Sequence, residues 1–336
     1  MHLFSRRSIA AAALTAAVGS LTALVTPTSS ALAAGPLDGW PNRPVRIVVG
    51  FPGGSTPDLT ARLIAEPLAK ALGQPVIVEN KVGAGGNIAA EVVAHAKDDH
   101  TIGVMINGNM TIAKLLNSKL AYDPLTELQP VALVGTAPLV LTVAANVPGN
   151  TPAELLKAAR ASGDKWSYGT PGVGTVGHIG MELLNAQLKT RSVHVPYPGY
   201  AQVVQAMLGG QLQWAMLPPT LALAQVKAGK LKAIGVTSAG RSSLVPDLPS
   251  LAEVGVPGFE LEIWNAVAAP AAMPKPIVAK LAGIIGEIVR APEARAKLFQ
   301  QGWQVVGSSP EGLALRIKSD AKLLGSVIRE RGIRNE

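Results

Sequence analysis

The sequence VRIVVGFPGGSTPD, residues 45–58, runs from a β-branched segment through a glycine-rich turn into the start of a helix. A strand that enters a helix through so short a turn is typical of a β-α-β unit. Glycines leave the backbone N–H groups of such a turn uncovered, and the positive end of the helix dipole follows them. The turn therefore predicts an anion site. We predict that Asp58 is the N-cap of the helix, with its carboxylate bonded to helix N–H groups.

The same alternation of strands and helices continues along the chain. Strands are predicted at residues 45–49, 76–79, 101–106, 131–134, 139–144, 166–168, 193–195, 213–216 and 231–237. Helices are predicted to start near Asp58, Asn87, Thr151, Thr175, Tyr200 and Thr220. Capping boxes at residues 151–154 and 250–253 indicate helix starts, and residues 276–331 have almost purely helical periodicity. This order predicts an α/β fold built from parallel β-α-β units.

The first residues have the pattern of an export signal. Arg6 and Arg7 precede an uncharged apolar run, and small residues close the segment at positions 30–34. We predict that residues 1–34 are a cleaved signal peptide, and the Sec and Tat routes both remain open because the paired arginines suit either. The chain contains no cysteine, which excludes disulfides, thiolate metal sites and a lipid-modified cysteine. The expected location is the periplasm.

Composition and length narrow the function further. The chain carries 30 Lys and Arg against 22 Asp and Glu, a formal net charge of +8. These charges are scattered and only 4% of residues are aromatic, so nucleic-acid binding is not expected. The 336 residues exceed what one hydrophobic core usually organises, which predicts two lobes. Extended segments at residues 139–144 and 260–268 are the predicted crossings between them.

A second glycine-rich turn, YGTPGVGTVGH at residues 168–178, again follows a strand and precedes a helix. Gly172, Gly174 and Gly177 match the dinucleotide fingerprint, but residues 191–205 lack the acidic residue that would hold the ribose. We therefore interpret the turn as a second anion cradle. Two further turns, which carry Asn107 with Asn109 and Tyr197, have hydrogen-bond donors for the same ligand, although ordinary turn chemistry explains them equally well.

No catalytic or metal-binding pattern is present. The five histidines lack metal-ligand spacing, and neither H-E-x-x-H nor G-x-S-x-G occurs. His178 and His194 are interpreted as hydrogen-bonded packing residues. The sequence therefore predicts a protein that is not an enzyme and has no cofactor and no bound metal.

The segments WPNRPVRIVV at 40–49, LGQPVIVEN at 72–80, the turn at 168–178 and LPSLAE at 248–253 follow one another along the chain. Together they resemble the Bug family, the periplasmic solute receptors associated with tripartite tricarboxylate transporters. The resemblance covers essentially the whole chain after the signal. It implies a two-lobed periplasmic binding protein fold of type II (Venus flytrap), with each lobe a mainly parallel sheet flanked by helices. We expect lobe 1 to comprise residues 35–142 and 264–336, and lobe 2 residues 143–263.

The resemblance also implies a ligand carboxylate held largely by backbone amides, hydroxyl groups and ordered water. The predicted ligand-binding residues are Phe51, Gly54, Ser55, Thr56, Asp58, Asn107, Asn109, Thr170, Gly172, Gly174, Thr175, His178, Tyr197 and Gln213. Three positions depart from the family pattern. Gly53 and Pro57 alter the first turn, and Gln213 stands where many members carry Asp, which makes an amino-acid ligand less favoured.

The expected function is a monomeric periplasmic receptor that captures a small mono- or dicarboxylate for a tripartite tricarboxylate-type transporter. Two alternatives stay open from the sequence. A sensory protein with the same lobes would signal to a membrane kinase, and an NAD-dependent enzyme would use the glycine fingerprint at residues 172–177.

Overall fold

Two β-sheets flanked by helices form the part of the chain that this computed structural model describes, residues 37, 39–331 and 333. The predicted α/β class with two sheets is confirmed. The signal peptide predicted for residues 1–34 lies outside the described residues. Within them, none of the helices has the length and apolar character needed to cross a membrane.

The eleven described strands are β1 Val45–Val49, β2 Val76–Asn80, β3 Thr101–Ile106, β4 Leu128–Pro138, β5 Val140–Ala144, β6 Ser167–Thr170, β7 Val193–Pro196, β8 Trp214–Leu217, β9 Leu231–Val236, β10 Glu262–Pro270 and β11 Gln304–Val305. The ten described helices are α1 Thr56–Leu72, α2 Asn87–Ala94, α3 Ala113–Leu116, α4 Pro152–Ser162, α5 Val176–Leu188, α6 Tyr200–Leu208, α7 Pro219–Lys227, α8 Lys275–Arg290, α9 Pro292–Gln300 and α10 Pro310–Arg331. A 3-10 turn at Ala84–Gly86 precedes α2, and a π-helical turn at Gly108–Ile112 precedes α3.

The first sheet has the strand order β11-β4-β10-β3-β1-β2, and the second has the order β7-β6-β8-β5-β9. In each sheet three neighbouring strands are parallel, namely β2, β1 and β3 in the first and β7, β6 and β8 in the second. The remaining strands pair antiparallel, so the sheets are more mixed than predicted. β10 and β5, the strands that the chain enters on passing from one sheet to the other, run antiparallel to both of their neighbours. β4 and β9 follow β3 and β8 through helices and run in the same direction as those strands, as expected for crossovers within one sheet.

The chain passes twice between the sheets. The first passage is the single residue Leu139 between β4 and β5, and the second is the segment 237–261 between β9 and β10. The predicted crossing at 260–268 is mostly β10, the strand that pairs with both β3 and β4. The helix predicted from the capping box at 250–253 is absent from the described structure. Ser250 instead forms a β-bridge with Val236, and its hydroxyl accepts from the N–H of Glu253 in a turn.

Thr237 joins the two passages. Its hydroxyl accepts a hydrogen bond from the N–H of Leu139 at 2.8 Å and donates one to the carbonyl of Leu261 at 2.7 Å. Its backbone N–H and C=O bond to the same two residues. Thr237 and Leu139 are fully buried, so every one of these polar groups needs a protein partner.

Helix α10 contacts the cores of both sheets. Leu313 and Ile317, in its first half, pack among residues of the first sheet, while Leu324 and Ile328 pack among residues of the second. A single helix therefore packs on the cores of both sheets and forms a third link between them.

We predict that Thr237→Val destabilises the protein by about 2–4 kcal/mol, because it leaves a buried N–H and a buried C=O unpaired at about 1–3 kcal/mol each. Urea unfolding followed by circular dichroism measures this change. Thr136→Val is the matched control, since Thr136 is also buried and its hydroxyl has no hydrogen-bond partner among the described residues. Equal midpoints for the two variants would contradict the assigned role of Thr237.

Candidate functional site

A cleft of about 360 Å³ lies between loops of the two sheets. Its lining residues are Phe51, Pro52, Gly53, Gly54, Ser55, Thr56, Pro57, Leu59, Ile106, Asn107, Pro171, Thr175, Val176, Gly199, Tyr200, Ala201, Gln202, Thr220, Leu221, Ile263, Trp264, Asn265, Gln300, Gln301 and Trp303. None of these described residues carries a formal charge. The volume falls within the usual range for small-molecule sites, about 300–1,000 Å³.

The first wall of the cleft is the turn before α1. Ser55 is the N-cap of α1, in extended conformation, and its side chain makes no capping hydrogen bond. The prediction that Asp58 is the N-cap is wrong. Asp58 lies in the first turn of α1, and its carboxylate accepts from the Gly54 N–H at 2.8 Å, from Arg62 Nε at 3.0 Å and from Asn80 Nδ2 at 2.9 Å. Asp58 does not line the cleft. Its bonds therefore hold the turn before α1 in place from the side away from the cleft.

The charge on Asp58 is matched by these contacts. Burial alone raises the pKa of its carboxyl, but the hydrogen bonds from Arg62, Asn80 and Gly54 outweigh burial and lower the pKa below its usual value. Asp58 is therefore an ionised anchor for the loop. The N–H groups of Thr56 and Asp58, in the first turn of α1, have no acceptor among the described residues.

The second wall contains two more helix starts, those of α5 and α6. Thr175 is the N-cap of α5, but its hydroxyl donates to the carbonyl of Gly172 at 2.8 Å and does not cap the helix. The N–H of Val176 therefore has no acceptor in the described part of the chain. Gly199 is the N-cap of α6 and has no side chain that could cap it, so the N–H groups of Tyr200 and Ala201 are also unpaired within the described residues.

Unpaired polar side-chain atoms are concentrated at the cleft. In the described part of the chain, seven buried side-chain nitrogen or oxygen atoms have no hydrogen-bond partner. Five of them belong to lining residues: Ser55 Oγ, Asn107 Oδ1, Asn265 Oδ1, Gln301 Oε1 and Trp303 Nε1. Buried polar atoms are normally paired, so this concentration indicates a site built to hold a polar molecule.

The predicted ligand-binding residues divide into two groups. Those that line the cleft are Phe51, Gly54, Ser55, Thr56, Asn107 and Thr175. Those that do not are Asp58, Asn109, Thr170, Gly172, Gly174, His178, Tyr197 and Gln213. Among the second group, Asn109 donates to the carbonyl of Gly85 and to Asn87, and Gln213 Oε1 accepts from the N–H of Ser167. Both amides are occupied by the protein's own structure.

Thr170 and His178 belong to a buried network behind the second turn. The Thr170 hydroxyl lies 2.6 Å from His194 Nε2, and the rings of His178 and His194 are stacked with their centroids 4.3 Å apart. His178 Nδ1 accepts from the N–H of Gly174 at 3.3 Å. The two histidines pack against each other, in keeping with their interpretation as packing residues, and His178, which was also expected to bind ligand, does not line the cleft. No group of three His, Asp or Glu side chains in the described residues is arranged as a metal site requires.

Two glycines of the dinucleotide-like motif, Gly172 and Gly174, lie in close contact with loops of the first sheet. Gly172 has a φ of +127°, and a Cβ built on it would lie 2.9 Å from the Cα of Gly85, in the 3-10 turn before α2. Gly108 makes a second such contact, since its Cβ would lie 2.8 Å from the carbonyl oxygen of Gly174. The motif therefore has a steric explanation that involves no nucleotide.

Sequence reasoning missed much of the lining. The missed polar residues are Tyr200, Gln202, Thr220, Asn265, Gln300, Gln301 and Trp303. Asn265 had a detectable signal, because it interrupts an otherwise apolar strand. The residues at 300–303 follow α9 and carry no motif, so only the fold brings them to the cleft.

Comparison with known proteins gives a consistent result. Residues 60–333 match the tripartite tricarboxylate transporter family receptor. The fold is also similar to solved structures. One, Rpa4515 of R. palustris solved with adipate, has a TM-score of 0.83 and 30% sequence identity, and the match covers 88% of this chain and 99% of that one.

Two other solved structures are similar to the same extent. MatC from Rhodopseudomonas palustris, solved with bound malate, has a TM-score of 0.81 and 34% identity, with 86% of this chain and 100% of that chain covered. The periplasmic binding protein BugD has a TM-score of 0.82 and 33% identity, with 88% and 100% covered. The resemblance to the Bug family stated from the sequence is confirmed.

We predict that Gly172→Ala prevents the close contact with Gly85 and strains the backbone at about 1–3 kcal/mol. The expected results are a lower melting temperature and a larger radius of gyration in X-ray scattering. Gly53→Ala is the control, because a Cβ at Gly53 would meet no atom within 4 Å. If both variants behave like the unmodified protein, the contact does not hold the walls together.

The buried histidines predict a loss of stability on acidification. Burial lowers the pKa of His178 to about 4, and burial together with the adjacent His178 lowers the pKa of His194 to about 3. Between the unfolded pKa of about 6.5 and about pH 4, the unfolded chain binds protons that the folded chain does not, so the free energy of unfolding falls as pH falls.

We therefore expect His178→Gln to lose less stability than the unmodified protein between about pH 7 and about pH 5, by up to about 2 kcal/mol. Urea unfolding at the two pH values measures the difference. His95→Gln serves as the control, since the His95 side chain is 49% exposed, and it should retain the original pH dependence. An identical pH dependence in all three proteins would contradict the prediction.

Proposed function

This chain belongs to the tripartite tricarboxylate transporter receptor family and is a periplasmic solute-binding receptor; we propose that its solute is a small mono- or dicarboxylate held in the cleft between the two sheets. Delivery would be to the membrane subunits of a tripartite tricarboxylate-type transporter. The protein would bind its solute without converting it, as a monomer, after export by a Sec or Tat signal at residues 1–34.

One observation carries the proposal. Thr56, Val176 and Tyr200, at helix starts on both walls, line a cleft whose described lining residues are uncharged, and their N–H groups have no acceptor among the described residues. Backbone donors at the positive end of a helix dipole hold a carboxylate without a cationic side chain. Such donors do not bind a cation, and a neutral apolar molecule would leave them unpaired.

The strength of this arrangement fits a transport receptor. Charge-assisted hydrogen bonds contribute about 1.5–3 kcal/mol each. Four of them, set against an association cost of at least about 4 kcal/mol, bring micromolar binding at about −8 kcal/mol within reach. The similar structures solved with adipate and with malate support the same chemical class for this chain.

Closure of the cleft would be the signal that a transporter subunit reads. We propose that the two sheets form two lobes that move about Leu139 and the segment 237–261, close to the crossings expected at 139–144 and 260–268. A ligand that contacts both walls stabilises the closed form by its extra contacts there. Among the residues expected from the sequence, Phe51, Gly54, Ser55, Thr56, Asn107 and Thr175 would contact the ligand.

The remaining expected residues would act indirectly. Asp58 supports the first turn through Gly54, and Thr170 and His178 support the second through Gly172 and Gly174. They would position donors and leave the contact with ligand to the backbone.

We predict that Thr56→Pro weakens carboxylate binding about 10- to 150-fold, because it deletes one donor worth about 1.5–3 kcal/mol. Proline suits the first position of a helix, and the extended backbone of Ser55 suits a residue before proline, so the fold should be retained. Isothermal titration calorimetry with succinate, malate and adipate measures the affinity after any co-purified ligand has been removed.

Thr56→Val is the matched control, because it removes the hydroxyl and keeps the N–H. We expect it to bind far more tightly than Thr56→Pro. Equal affinity of folded Thr56→Pro and Thr56→Val would argue against backbone donors, and a failure of all small carboxylates to bind the unmodified protein would refute the proposed function.

A further inference from the structure

We infer that the preferred ligand carries a hydroxyl group close to its carboxylate, so that this receptor selects hydroxy acids over plain carboxylic acids and amino acids. The inference rests on the proposed function and adds the identity of a second functional group. It follows from two buried asparagines, Asn107 and Asn265, each only 1% exposed, that line the cleft.

The orientation of the Asn265 amide is determined by its neighbours. The Thr60 hydroxyl donates its only hydrogen to the carbonyl of Thr56 at 2.9 Å, so Thr60 Oγ1 can only accept a further bond. Asn265 Nδ2 donates to Thr60 Oγ1 at 2.8 Å and to the carbonyl of Thr56 at 3.4 Å. Asn265 Oδ1 is therefore an acceptor, and it is buried without a partner among the described residues.

The Asn107 amide is oriented by the same reasoning. Its Nδ2 donates to the carbonyl of Glu262 at 2.9 Å, and a carbonyl can only accept. Asn107 Oδ1 is therefore a second acceptor that lacks a donor within the described residues. The two side chains are neighbours in the fold, since Asn265 pairs with Ile106 in the β3 and β10 ladder and Asn107 follows Ile106.

Asn107 Oδ1 and Asn265 Oδ1 can be paired only by a ligand group that donates a hydrogen bond. An ionised carboxylate has no hydrogen to donate and is repelled by a carbonyl oxygen, whereas a hydroxyl, an amide or an ammonium group can donate. An ammonium group would also need a countercharge, because burial of an unpaired charge is costly. No lining residue is acidic, so a neutral donor fits the site best.

The position of the acceptors places this donor near the carboxylate. Asn265 bonds directly to Thr56, the residue whose N–H opens α1 and is a proposed carboxylate donor. A ligand with its carboxylate at the start of α1 would therefore need its hydroxyl on a carbon adjacent to the carboxyl group or one further away. Each acceptor that stays unpaired in the complex reduces the binding free energy by about 1–3 kcal/mol. A ligand whose hydroxyl pairs with these acceptors should therefore bind more tightly.

Matched pairs of ligands test the inference by calorimetry on the unmodified mature protein. The pairs are malate with succinate, lactate with propionate, and malate with aspartate. We expect the hydroxy acid to bind about tenfold or more tightly in each pair, since tenfold corresponds to about one buried hydrogen bond.

Equal affinities within the pairs would overturn the inference and leave the proposed function intact, whereas no binding by any carboxylate would refute the proposed function itself. Tighter binding of aspartate than malate would also overturn the inference.

Variants assign the effect to the asparagines. In Asn265→Leu and Asn107→Leu the ratio of succinate to malate dissociation constants should fall toward one. Asn185→Leu is the control, because Asn185 is another buried asparagine, bonded to Thr190 and Ser192, that does not line the cleft. In this variant the ratio of the two dissociation constants should equal that of the unmodified protein. A preference for malate that survives in folded Asn265→Leu and Asn107→Leu would overturn the inference. If neither variant folds, the ligand pairs alone decide.

Discussion

The unpaired N–H groups at helix starts are the constraint on which the site depends. A helix leaves its first N–H groups without acceptors, and a side-chain cap usually satisfies them. Here Ser55 makes no cap, the Thr175 hydroxyl bonds to Gly172 instead, and Gly199 has no side chain to offer. Donors from both walls are thus left unpaired at one cleft, and none of its described lining residues is cationic. We propose that the protein binds its anionic solute through these backbone groups.

The surrounding polar groups hold these donors in place. Asp58 is bonded to Gly54, Arg62 and Asn80, which keeps its negative charge away from the cleft lining. On the opposite wall, His178 supports the N–H of Gly174. A rigid arrangement of this kind lowers the entropy lost on binding. Asp58 and His178 therefore hold the loops in place, whereas the described residues that line the cleft are uncharged.

Loops next to the cleft also make contacts between the two sheets. Contacts such as that between Gly85 and Gly172 bring the walls together at the backbone, where any larger residue would collide. Away from the cleft, Thr237 bonds to both passages between the sheets, and α10 packs on both cores. These links between the sheets are few and buried, which supports the proposal that the two sheets move about them as a hinge.

Local chemistry in the sequence was enough to locate strand, turn and helix around residues 45–58 and 168–178, because periodicity and glycine placement act over a few residues. It also indicated the family and the class of solute. Only the tertiary structure decided that β10 is a central strand, that Ser55 and not Asp58 occupies the N-cap position of α1, and that Asn265, Gln301 and Trp303 line the cleft. These features depend on strand pairing and packing between segments far apart in the chain, and no local pattern encodes which distant partner a residue will meet.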